Sequence, residues 1–102
     1  MSIFIAIDPG NQKCGLLLAD RQSGNVINAG ISSLNKFSDI VSLWNKKYNV
    51  KKIVIGDGTN CKYIRNKLKE KNILNLTYVN EKGSTLRARF RYWEIWPPNY
   101  FF

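Results

Sequence analysis

The sequence predicts an α/β domain: a five-stranded mixed sheet built in the order βββαβαβα, with its helices packed on the sheet. Three observations predict it. Apolar runs of four to eight residues at Phe4, Leu16, Ile53 and Leu76 have strand length. The first three strand candidates are separated only by short Gly- and Asn-containing turns, and the later ones by segments with helical periodicity.

Residues 3 to 8 read as a strand buried on both faces, because Phe4-Ile5-Ala6-Ile7 leaves no polar side. The Pro9-Gly10-Asn11 turn leads into a second strand, Cys14 to Asp20. Ser23-Gly24-Asn25 then turns into a third, Val26 to Ser32, completing an antiparallel meander. From about Lys36 to Asn49, Phe37, Ile40, Val41, Trp44 and Tyr48 recur at three- and four-residue spacing, the stripe of an amphipathic helix.

Lys51-Lys52-Ile53-Val54-Ile55-Gly56 follows as a short strand parallel to the first, since a helix between two strands makes a crossover. Cys61 to Lys71 forms a second helix, with Thr59 or Asn60 as its cap and Ile64 and Leu68 facing inward. Leu76 to Val79 is the fifth strand. Ser84 caps a third helix carrying Leu86, Phe90 and Trp93, which Pro97-Pro98 ends. Beyond it, Tyr100-Phe101-Phe102 is an apolar tail that either folds back on the core or pairs with a second subunit, so a homodimer is one expected arrangement.

The chain has 102 residues, which suits one domain spanning 1–102, and its 44% apolar content is enough for one core. Sixteen Lys and Arg against seven Asp and Glu give a net charge of +9, spread from Lys13 to Arg91. Such an excess points to a polyanionic partner, nucleic acid above all. No apolar run approaches the roughly 18 residues of a spanning helix, and the N-terminus lacks a basic-then-apolar leader, so no membrane association is expected. A soluble, cytoplasmic protein is expected. The abundance of Asn, Lys and Ile suits an AT-rich genome, and a plastid origin would move the location to the stroma. Histidine is absent, which excludes Ser-His and Cys-His catalysis and the commonest zinc ligand. Cys14 and Cys61 lack paired spacing and read as reduced thiols.

Chemistry must therefore come from other groups, and the topology gathers three carboxylates. Asp8 ends the first strand, Asp57 follows the fourth and Glu81 follows the fifth, and these strands run in one direction, so all three acids emerge at one sheet edge. Asp20, ending an antiparallel strand, lies at the opposite edge. Like charges at close range repel unless a divalent cation bridges them, and Mg2+ or Mn2+ suits carboxylate oxygens best. Asp8 before Pro9-Gly10, and Asp57 between Gly56 and Gly58, also fit ordinary turn roles. Lys13 lies close to the same edge. Thr59 and Asn60 open the second helix and Ser84 and Thr85 the third, where free amides face a phosphate. Arg87 and Arg91, with Arg89 on a neighbouring face, suit a nucleic-acid backbone.

The segments "IAIDPGNQKCGLLLAD", "IVIGDGTNCKYIRNKL" and "VNEKGSTLRARFRYWEIWPPN" resemble, in order, those of the YqgF-like group of RNase H-like nucleases, described as Holliday junction resolvases and pre-16S rRNA-processing nucleases. The resemblance implies an RNase H-like fold and a divalent-metal phosphodiesterase site, with Asp8 and Glu81 at matching acidic positions. Substrates would be structured RNA or branched DNA. Such relatives continue past the paired prolines into a helix with a further acid, where this chain has Asn99-Tyr-Phe-Phe102. Asp57 is expected to complete the site. The alternative is a shortened nucleic-acid-binding module that does not cut. A third class, an actin-like sugar kinase or ATPase, shares the Asp-x-Gly hairpin but needs a second lobe that 102 residues do not supply.

Overall fold

The computed structural model describes residues 2–56, 60–79 and 99–101. The elements are β1 (Ile3–Pro9), β2 (Lys13–Asp20), β3 (Val26–Ser33), α1 (Phe37–Tyr48), β4 (Lys52–Gly56), α2 (Cys61–Glu70), β5 (Leu76–Val79) and β6 (Asn99–Phe101). They form one mixed sheet in the order β5-β4-β1-β2-β3-β6. All five expected strands and the first two expected helices are present within a residue or so of the expected bounds. The helix expected from Ser84 lies outside the described residues. Among those described, no helix is long and apolar enough to cross a membrane.

β1 pairs antiparallel with β2 from Ile3↔Asp20 to Pro9↔Cys14, and parallel with β4 from Phe4↔Lys52 to Ile7↔Ile55. β5 adds parallel to β4. Alternation along the strands sends Ile3, Ile5 and Ile7 of β1, and Cys14, Leu16 and Leu18 of β2, to the face that α1 and α2 cover with Phe37, Val41, Trp44, Ile64 and Leu68. The opposite face buries Ala6, Leu17 and Ala19 against Phe4, Val26 and Ala29. Burial on both faces is why these strands read as unbroken apolar runs. α1 ends where Asn49 adopts a left-handed conformation (φ 50) and its N–H returns to the Asn45 carbonyl, a position open to Asn and Gly with little strain.

The sheet has a sixth strand that the sequence did not announce. The backbone of residues 99–101 returns to the sheet: β6 runs parallel to β3, with Gly30↔Asn99, Ile31↔Tyr100 and Ser32↔Phe101 in register.

Asp20 lies at the far edge, as expected, opposite Ile3. It is only 7% exposed. One carboxylate oxygen accepts from the Ser2 (3.0 Å) and Gln22 (3.1 Å) amides and the other from the Ser23 hydroxyl (2.9 Å), fastening the start of β1 to the β2–β3 turn. These bonds, the Ser2 amide first, hold its pKa below the ordinary 3.8, against the opposing effect of burial. A lowered folded-state pKa stabilises the fold fully above the unfolded value and loses that contribution as pH falls through the folded one. Asp20→Ala, which strands three donors, is therefore expected to melt well below wild type at pH 7, with the gap narrowing below pH 3.8. A gap independent of pH in thermal melts would assign the loss to packing alone.

Candidate metal and nucleic-acid site at the strand ends

β1, β4 and β5 run the same way and end together: Ile7 pairs with Ile55, Ile55 with Tyr78, and Gly56 with Val79. Asp8, the next residue of β1, is exposed and sits across from Gly15 of β2. Alternation puts it on the face of Phe4 and Ala6, away from α1 and α2. Asp57 is the residue after Gly56, and Glu81 the second after Val79. Both lie outside the described residues, as do Thr59, Ser84, Thr85, Arg87, Arg89 and Arg91. Asp20 is about 17 Å along the sheet from Asp8, five strand residues away at roughly 3.3 Å each, and takes no part.

The β1–β2 hairpin that carries Asp8 is held from both sides. A Cβ at Gly10 would stand 2.3 Å from the Lys13 carbonyl oxygen, so only glycine allows the turn to close this tightly. Asn60 at the start of α2 donates its side-chain amide to the carbonyls of Gly10 (2.6 Å) and Asn11 (3.2 Å). On the other side the Leu34 amide donates to the Gln12 carbonyl (3.4 Å). Asn60 thus occupies the cap position expected of it, but its side chain makes no capping bond and serves the hairpin instead.

Lys13 is exposed at the first position of β2 and alternates to the same face as Asp8. Cys14, paired with Pro9, is 2% exposed. Burial, and secondarily the charge of Asp8, push its thiol up to about 12, so it stays protonated and unreactive at neutral pH. Neither cysteine is in a disulfide. No thiolate chemistry arises from Cys14. A hard cation held by carboxylate oxygens suits this edge by donor type, with Asp8 the carboxylate that the described part contributes. Among the described residues no group of three or more His, Cys, Asp or Glu side chains is placed to hold a metal ion. The fit therefore turns on Asp57 and Glu81.

The architecture has known counterparts. Thermus thermophilus RuvC, solved in complex with a Holliday junction substrate, superposes with a TM-score of 0.63 at 8% identity, over 78% of this chain and 65% of RuvC. The fold is RNase H-like. Archaeoglobus fulgidus Pelota matches with a TM-score of 0.58 at 10% identity, over 89% of this chain and 31% of Pelota. The Aquifex aeolicus Ppx/GppA phosphatase matches with a TM-score of 0.50 at 12% identity, over 78% and 36%. The chain spans less than two thirds of each of these proteins. No protein-family model matches the sequence, and no curated protein matches it. Within the RNase H-like sheet, sequence reasoning found the acid at the end of the central strand but missed the Asn60 clamp. The only local signal was an Asn heading a helix, which ordinarily means a cap.

Proposed function

We propose that this chain is a divalent-metal-dependent nuclease of the YqgF-like group, hydrolysing phosphodiester bonds in structured RNA, as in pre-rRNA processing, or in branched DNA such as a Holliday junction. The observation that carries the proposal is Asp8: an exposed carboxylate at the end of a central strand of an RNase H-like sheet, on a hairpin fixed by Gly10 and Asn60, in a chain of charge +9. Asp8 and Glu81, with Asp57 completing the set, would hold the Mg2+ or Mn2+ ions. When bound, such ions activate a water for in-line attack and stabilise the leaving oxygen.

The chain's own residues do the rest. A carboxylate anchored by a rigid hairpin keeps its oxygens in place without reordering when substrate arrives, which is how a protein preorganises a charged site. Lys13 sits beside it on the same face, suited to a phosphate oxygen. Thr59, Ser84 and Thr85 supply hydroxyls, and Arg87, Arg89 and Arg91 supply the charge that positions the strand without reading its sequence.

The test is cleavage by purified protein with manganese, offered a four-way DNA junction, an RNA/DNA hybrid and precursor rRNA. Metal-dependent cutting of at least one is expected. Binding of all three with cutting of none would replace the nuclease by the non-catalytic binding module.

A further inference from the structure

The sheet edge opposite Asp8 carries a charge cluster that the proposed site does not use. Arg21 leaves the end of β2, Lys51 and Lys52 lead into β4, Lys46 and Lys47 lie in the last turn of α1, and Lys69 in the last turn of α2. All six are exposed. Backbone bonds bring the strand ends together: the Arg21 amide donates to the Ser2 carbonyl (2.8 Å) and the Lys51 amide to the neighbouring Ile3 carbonyl (3.0 Å), from opposite sides of β1. Asn75 joins the helical part, donating to the Asn45 side chain (3.1 Å) and to the Val50 carbonyl (3.0 Å).

The local acids are already engaged. Glu70 pairs with Lys67 at 3.7 Å, Asp39 with Lys71 at 2.7 Å, and Asp20 is buried in its own hydrogen bonds. None of the six cations has a carboxylate partner among the described residues. Lys46, Lys47 and Lys69 partly answer the negative ends of α1 and α2. Arg21, Lys51 and Lys52 stand at strand ends, where no helix dipole explains them.

We infer that this edge is a second nucleic-acid contact surface, at which Arg21, Lys46, Lys47, Lys51, Lys52 and Lys69 bind the phosphate backbone away from the Asp8 edge. Composition favours nucleic acid over an acidic protein: lysine is depleted in protein–protein interfaces, whereas nucleic-acid interfaces are strongly cationic. The surface is not an extension of the Asp8 site. Ala6, Leu17 and Ala19 are fully buried on the sheet face between the two edges, so a strand cannot lie across it.

The experiment compares salt dependence of binding to duplex DNA for wild type and for Arg21→Gln/Lys51→Gln/Lys52→Gln. Loss of three phosphate contacts is expected to flatten the log–log slope by about 2.7 units, near 0.9 per contact. An unchanged slope overturns the inference. So does a variant that keeps the DNA slope but loses binding to polyglutamate, which would give the surface to an acidic protein segment. A measurement on the wild-type chain guards against misfolding of the variant: bound DNA is expected to protect Lys51 and Lys52 from acetylation, and equal labelling with and without DNA overturns the inference. Asp8→Asn separates the two readings, because in that background cleavage is lost while the three substitutions are still expected to flatten the slope by the same amount; absence of cleavage in wild type, with the slope effect intact, counts against the nuclease alone.

Discussion

Asp8→Asn is expected to lower metal-dependent phosphodiester cleavage by about three orders of magnitude or more without loss of fold. The size of the effect follows from the way a coupled site fails: when ligands act as a unit, removing one costs nearly as much as removing all. Asparagine keeps the shape and one acceptor oxygen, so an Asx-type turn role would survive the change, while a charge role would not. Asp8 is exposed, and Ile5 and Ile7 of the same strand face the other side of the sheet, where the substitution leaves the core they build untouched. Thermal stability in chelator should therefore match wild type. Manganese supplies the second readout. At a concentration a hundredfold above Kd, an ion bound only by the folded state adds about 2.7 kcal/mol. For a domain of this size that is on the order of ten degrees of melting temperature. The increase should be present in wild type and nearly absent in Asp8→Asn; equal shifts in both would reduce Asp8 to a turn residue. Asp57→Asn in the same assay asks whether that acid completes the site: full loss makes it a ligand, full retention a turn residue.

How far the sequence foretold this arrangement depends on whether the information is local. Phe4-Ile5-Ala6-Ile7 and Leu16-Leu17-Leu18-Ala19 declare two-sided burial because every side chain in each run is apolar, and both runs lie at the centre of the sheet. The stripe Phe37, Val41, Trp44 specifies both the helix and its inner face. Parallel pairing of β4 with β1 follows from the helix between them, and with it the gathering of strand ends around Asp8. β6 was illegible for the opposite reason. Asn99-Tyr-Phe has no periodicity and no turn partner, and its place beside Gly30, Ile31 and Ser32 is fixed by a pairing across nearly seventy residues of sequence. The same holds for Asn60, whose partners Gly10 and Asn11 lie 50 and 49 residues away. A short polar side chain at a helix start offers two uses, and only the folded chain decides between them.

Gly10→Ala is expected to cost about 1–3 kcal/mol, the range for forcing atoms into a closed space, and so to lower the melting temperature by on the order of 5–20 °C. The reason is space. Gly10 is not among the residues at positive φ, so an L side chain meets no backbone penalty there; it meets the Lys13 carbonyl oxygen at 2.3 Å, far inside any real Cβ contact. Relief requires the hairpin to open, yet Pro9↔Cys14 and Asp8↔Gly15 pair immediately below it, and the Gly10 carbonyl is itself held by Asn60. Opening the turn therefore pulls on the Asn60 bonds and on the strand position of Asp8 together. Asn60→Ala alone should cost about 1–2 kcal/mol, the loss of satisfied carbonyl bonds. The double variant should lose less than the sum, because a hairpin already opened no longer offers its carbonyls to Asn60. Additive losses would mean that Asn60 stabilises α2 and not the hairpin, and an unaltered melting temperature in Gly10→Ala would mean that the turn is looser than a carbonyl at this distance requires. Cleavage should fall in Gly10→Ala at temperatures where the chain is still folded, since the substitution displaces the strand end that carries Asp8. The loss of salt slope caused by Arg21→Gln/Lys51→Gln/Lys52→Gln should be the same in the Gly10→Ala background, because those three residues lie at the other end of the sheet.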